Sequence, residues 1–160
     1  MTTTSDDRQV GLLRYPMGDG VLAFSTLRHG AGVGRGTYAD FNINRYCGDD
    51  PEAVRRNRAL FCQTIGVADD RLVFPHQTHG TEVRCVDEVF FALTAEQQTT
   101  ALEGVDALMT HLGGVCIGVS TADCIPVLLY DAEHHAVCAV HAGWRGTVAR
   151  IAAKAVQEMH

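Results

Sequence analysis

Short apolar runs, broken by polar and glycine- or proline-marked segments, recur along the chain, and their period changes from one segment to the next. Val10–Tyr15 and Gly20–Leu27 cluster and alternate apolar residues as strands do, and Pro16-Met17-Gly18-Asp19 between them is a turn signal, so a hairpin is predicted. Asp50 followed by Pro51 reads as a helix N-cap with proline at the first helical position. Val54, Leu60, Phe61 and Ile65 then recur near helical spacing until Gly66 stops the run. Leu72–Pro75 and Thr81–Val86 read as strands, and Leu93–Leu102 as a short helix. From Asp106 the pattern tightens into strand-like runs at Ala107–Thr110, Val115–Ser120, Ile125–Tyr130 and Ala136–His141. From Thr147 onward, Val148, Ile151, Ala152, Ala155, Val156 and Met159 follow the 3.6-residue period of an amphipathic helix. No repeat and no low-complexity linker interrupts this order, so a single domain spanning residues 1–160 is expected, of α/β (α+β) class with mixed strands and helices outside.

Composition narrows the class. With 46% apolar and 20% charged residues the chain has an ordinary globular make-up and lacks the signature of disorder. Its net charge is −6, and only Arg55, Arg56 and Arg58 cluster, which disfavours nucleic acid as a partner and leaves small molecules. No run of 18 uncharged apolar residues is present, and Asp6 and Asp7 interrupt any signal-peptide plan at the start; no membrane partner and a cytoplasmic location are expected. The six cysteines are dispersed, four of them in apolar runs, as free core thiols would be.

The glycine-rich stretch from Arg28 to Gly36 suggests a dinucleotide loop, but its glycines are out of register for that motif because Arg35 and Thr37 stand where glycine is needed. A loop with positive backbone dihedrals, or an anion site on backbone amides helped by Arg28 or Arg35, remains. Three other positions carry more chemistry. His79 precedes a glycine in a polar loop, Cys124 stands between Asp123 and Ile125-Pro126 at the mouth of a strand, and His141 ends a strand before Ala142-Gly143-Trp144-Arg145-Gly146. Two imidazoles and a thiolate suit Zn²⁺, and three protein ligands leave a fourth position open, as in catalytic sites. Two other readings stand beside this one: a core cysteine with two loop histidines, and a metal-free Cys/His nucleophile pair with Asp123 orienting the imidazole. His76 is a candidate fourth ligand or a partner to one, and Phe74 a candidate stacking surface or core residue. With eight histidines and no His-x-His pair, a multicopper centre is disfavoured.

Gln77-Thr78-His79-Gly80, Asp106-Ala107-Leu108-Met109-Thr110, Thr121-Ala122-Asp123-Cys124-Ile125-Pro126-Val127 and His141-Ala142-Gly143-Trp144-Arg145-Gly146 together resemble the YfiH-like laccase-domain family. Ser25-Thr26-Leu27-Arg28-His29-Gly30, the 38–44 stretch and Gly48–Val54 extend the resemblance upstream, so that it covers residues 20 to 155. It implies a layered sandwich of mixed β-sheet with flanking helices. It also implies a zinc held by His79, Cys124 and His141, with copper as the alternative metal suggested by the family's older name. The implied activities are phosphorolysis of purine nucleosides (adenosine, inosine, guanosine, methylthioadenosine) and adenosine deamination, with phenol oxidation by copper or an inactive binding-only fragment as alternatives. Asp123 then serves as a proton shuttle, and Arg58, Arg28 and Arg145, with Asn42, as substrate and phosphate contacts. The partners implied are purine nucleosides and phosphate, with the chain a monomer or homodimer. Members of the family continue beyond the segment matched here with further strands, so the resemblance also implies a chain lacking the C-terminal third.

Overall fold

The structure is a computed structural model that describes residues 10–28, 32–34, 36–38 and 40–159. His29, Arg35 and His160, and with them part of the glycine-rich stretch, lie outside the described residues. The chain forms two compact units, one up to Asp69 and one from Asp70 onward.

In the first unit the predicted hairpin is present: β1 (Leu12–Tyr15) pairs antiparallel with β2 (Ala23–Thr26), Leu12 opposite Thr26 and Tyr15 opposite Ala23. Helix α1 (Pro51–Ile65) starts where the sequence predicts, because the Asp50 carboxylate accepts from the backbone N–H groups of Glu52 and Ala53. It stops at Gly66, whose φ of 72° places it in the left-handed region that glycine enters without strain. The face it buries carries Ala53, Val54, Asn57, Arg58, Phe61 and Cys62, so two polar residues lie inward where an apolar stripe was expected. Asn57 is accommodated because its amide bonds three backbone groups: Val33 N–H at 2.8 Å, Val33 C=O at 3.1 Å and Asn42 C=O at 3.0 Å. The arginine cluster divides accordingly. Arg55 and Arg56 both reach Glu52 on the surface, while Arg58 is buried and donates to the Ile43 carbonyl at 3.3 Å.

The second unit is built on a four-stranded sheet in the order β4–β5–β8–β7, formed by β4 (Glu82–Cys85), β5 (Val105–Thr110), β7 (Ile125–Asp131) and β8 (Ala136–Ala142). β4 runs parallel to β5, and the other pairings are antiparallel. Both faces are covered, which is why β5 and β8 read as nearly continuous apolar runs. On one side Leu108 packs with Val73, Val86, Phe90, Leu102 and Val105; on the other Ala107 packs with Cys138, Val140, Ala142, Ile151 and Ala155. Helices α2 (Glu88–Ala92) and α3 (Ala95–Ala101) supply the first cluster, and α5 (Ile151–Glu158) the second. The architecture is therefore mixed α/β with several sheets and flanking helices.

Three elements differ from the sequence expectation. The Val115–Ser120 run yields only β6 (Cys116–Ile117), which leaves the main sheet to pair in parallel with β3 (Leu72–Val73). Helix α2 precedes the expected short helix, started by the Asp87 side chain accepting from Phe90 N–H at 2.9 Å. The C-terminal helical run is broken into α4 (Trp144–Val148) and α5, because Arg150 adopts a left-handed φ of 62° that no continuous right-handed helix tolerates.

Two outcomes test this packing. Ile151→Ala, which empties a fully buried site, is expected to lower unfolding stability by about 2–4 kcal/mol in urea titration, whereas Val156→Ala on the exposed side of α5 changes it by under about 1 kcal/mol. Burial pushes the Cys138 thiol up to about 12 from 9.0, so it stays neutral in the native protein where the unfolded chain ionises. Its contribution is thus complete below pH 9 and declines as pH rises from 9 to about 12. Native-state alkylation at pH 8 followed by peptide mass mapping should leave Cys138 unmodified.

Candidate metal centre

Sheet register brings the second unit's chemistry together. Ala107 faces Val140 across β5 and β8, so one step further back Asp106 lies across from His141. On the other flank of β8, Pro126 faces His141 and Ile125 faces Ala142, which carries Cys124, the residue before β7, alongside Gly143. A slip of one residue in either pairing would turn these side chains to the opposite face. His79 arrives from the loop between β3 and β4, its ring 4.9 Å from that of His141 at an interplanar angle of 75°. The ligand atoms of His79, Cys124 and His141 all lie within 4.8 Å of one another, with His79 exposed, Cys124 half-buried and His141 buried.

One carboxylate organises two of the three. Asp106 is fully buried, and its oxygens accept from the backbone N–H of Thr78 at 3.2 Å, His79 at 3.0 Å and Gly80 at 2.7 Å. It also accepts from His141 Nδ1 at 2.8 Å. With Nδ1 donating, the lone pair of the imidazole resides on Nε2, the atom left free to ligate. The three backbone bonds hold His79 at a φ of 63°, a conformation that costs a non-glycine residue about 1 kcal/mol or more. His79 is therefore kept in place by the surrounding loop rather than by its own preference. Gly143 completes the cradle, because a Cβ there would stand 2.9 Å from the His79 ring and 3.3 Å from Cys124 Sγ.

The donor set fits a borderline-soft divalent ion. Three ligands of a tetrahedral zinc are roughly 3.3–3.6 Å apart, given Zn–N near 2.0–2.1 Å and Zn–S near 2.3 Å, and a small inward movement of the three side chains reaches that spacing. Cys124 is the ligand with least support. Its thiol donates weakly to Asp123 Oδ1 at 3.8 Å, and desolvation, then the neighbouring Asp123 carboxylate, raise it above its ordinary value. A cation between the two imidazoles reverses that balance and favours the thiolate.

The remaining predicted residues are placed as follows. Asp123 is exposed beside Cys124, and Arg145 is exposed with its guanidinium 5.3 Å from the Trp144 ring centroid. Arg28, Asn42 and Arg58 belong to the first unit, where each has a local partner. Arg28 donates to the Thr37 carbonyl at 2.9 Å, Asn42 donates to Asp49 at 2.8 Å, and Arg58 bonds Ile43 as above. His76 is held by Glu103, Nδ1 to Oε1 at 2.7 Å. Phe74 packs its ring over Gly118, where a Cβ would come within 2.4 Å of it. Asp106 was not singled out from sequence as a site residue. Its signal is a lone acidic residue at the head of an apolar strand, which has to find donors once buried.

A family described as multi-copper polyphenol oxidoreductase laccase matches residues 22–160. A protein named adenosine deaminase RL5, from an unknown prokaryotic organism, is 50% identical over 141 residues, 88% of this chain and 53% of that protein. A purine nucleoside phosphorylase of Bacteroides thetaiotaomicron is 42% identical over 151 residues, 94% of this chain and 56% of its own. Among solved structures, YlmD from Geobacillus stearothermophilus superposes with a TM-score of 0.82 at 34% identity, covering 92% of this chain and 55% of that one. YfiH from Bacillus licheniformis gives 0.82 at 28% identity, covering 94% and 56%. The chain thus spans about half the length of the relatives it matches.

Asp106→Asn turns an NH2 donor either toward the Thr78 and Gly80 N–H groups, which share one carboxylate oxygen, or toward the His79 N–H and His141 Nδ1–H, which share the other. Zinc affinity, measured by competition with a chromophoric chelator, is expected to fall about 10–100-fold. An unchanged affinity would show that the carboxylate does not orient the histidines.

Proposed function

This chain belongs to the multi-copper polyphenol oxidoreductase laccase family, and from that premise we propose that it is a zinc-dependent purine nucleoside phosphorylase with adenosine deaminase activity. The observation that carries the reading is the convergence of His79, Cys124 and His141 into one three-donor cluster; a tetrahedral ion held by three donors would keep its fourth position for a reactant. The names of the similar proteins, a purine nucleoside phosphorylase and an adenosine deaminase, point to the same two reactions. Bound zinc would supply Lewis-acid polarisation at that fourth position.

The chain's own residues do the rest. His141 and His79 are held by Asp106, so the donor geometry is set before substrate arrives. In deamination a water adds to C6 of the purine and ammonia departs. Asp123, exposed beside Cys124, takes the proton from the attacking water at a carboxylate oxygen and returns it to the leaving amine. In phosphorolysis a phosphate oxygen bonds to C1′ as the C1′–N9 bond breaks, and the base leaves with the electron pair. The departing base is neutralised by protonation at N7, the proton coming from dihydrogen phosphate and relayed through the Asp123 carboxylate. Arg145 offers its exposed guanidinium to the anion.

Chromatography of adenosine incubated with zinc-loaded protein and phosphate is the test. Base plus ribose 1-phosphate, dependent on phosphate, supports phosphorolysis, and inosine supports deamination; neither product from fully metal-loaded protein overturns the reading. Stoichiometric copper with phenol oxidation would establish the oxidase alternative instead. Asp123→Asn should lower turnover about 10²–10⁴-fold while leaving zinc content unchanged.

A further inference from the structure

Asp106 ties together the two histidine ligands, but no bond from it reaches the segment that carries the cysteine. That connection is made by a different side chain. Gln77 Nε2 donates to the Ser120 carbonyl at 2.8 Å, and Gln77 Oε1 accepts from Ser120 N–H at 2.7 Å. The primary amide thus satisfies both backbone groups of one residue, as a neighbouring strand would, across 43 positions of sequence. Gln77 lies two residues before His79, and Ser120 four residues before Cys124. Between Ser120 and Cys124, Thr121, Ala122 and Asp123 are all exposed, and on the far side of Cys124 the chain enters β7. The cysteine therefore sits on a short span fixed at one end by the sheet and at the other by the Gln77 amide.

We propose that Gln77 is a positioning residue for Cys124: its double hydrogen bond to Ser120 holds the thiol within reach of the two imidazoles. The inference rests on the reading of these residues as a metal centre, but not on any catalytic activity. Without the clamp, the next anchor before Cys124 is the Gly118 N–H on the Val73 carbonyl at 3.1 Å, so the span free to move lengthens from 121–124 to 119–124. The histidine pair, held independently by Asp106, stays in place, and the site degrades from three donors to two rather than disappearing.

Cobalt(II) titration of the full chain tests this, because sulfur-to-cobalt charge transfer reports the thiolate separately from the d–d bands that report coordination as a whole. In Gln77→Leu, of similar size but without hydrogen bonds, charge-transfer absorbance per bound cobalt should fall by at least half, and affinity about 10–100-fold. Gln77→Glu keeps the acceptor for Ser120 N–H but sets a lone pair against the Ser120 carbonyl. It should show an intermediate loss, and it serves as the readable variant if the leucine form does not fold. In a Cys124→Ala background the affinity cost of Gln77→Leu should vanish, since the residue through which it acts is gone. Full charge-transfer intensity in both variants, or the same affinity cost with and without Cys124, would overturn the proposal. A wild-type protein that shows the sulfur band but no nucleoside turnover would sink the catalytic reading and leave this one standing.

Discussion

The second unit's chemistry depends on a single buried carboxylate accepting four N–H donors. Asp106 enters the interior because β5 is covered on both faces, and once there it needs partners. It finds three in the backbone of residues 78–80 and one in the His141 ring. Each backbone N–H left without an acceptor would cost about 1–3 kcal/mol, so loop, carboxylate and histidine form one interdependent unit. The left-handed conformation of His79 is the visible cost of this arrangement. It is offset by bonds that exist only when the loop closes onto the strand.

This places the donor set on rigid parts. His141 projects from a strand paired on both sides, and Cys124 stands at the entrance to the neighbouring strand. The histidine from the loop is the exception, and the loop is fastened by side chains at both flanks: Asp106 to residues 78–80, and Gln77 to Ser120. The three donors are thereby brought together by the fold itself, unlike those of small domains that order only around a metal.

Much of this was legible in the chain. The caps of α1 announced themselves through Asp50-Pro51 and Gly66, since helix ends obey local chemistry. His79, Cys124 and His141 stood out because metal-competent residues at strand ends and loops are where function collects. The supports did not stand out. Asp106 and Gln77 act through contacts 26 to 43 residues away, and nothing within a few positions of either residue reveals them. The same limit explains Asn57 and Arg58, polar residues on the inward face of α1, and the short β6, whose apolar run signals burial but not which sheet it joins. The left turn at Arg150 breaks a helix that periodicity alone would carry through.

Gly143 has a consequence for how such a site is judged by genetics. It donates no atom to the cluster, yet any larger residue there would press on both His79 and Cys124. A saturation library scored by function would rank position 143 with the ligands themselves. Intolerance to change and participation in chemistry come apart at this residue, and the distinction lies in the hydrogen atom it presents where every other amino acid has a carbon.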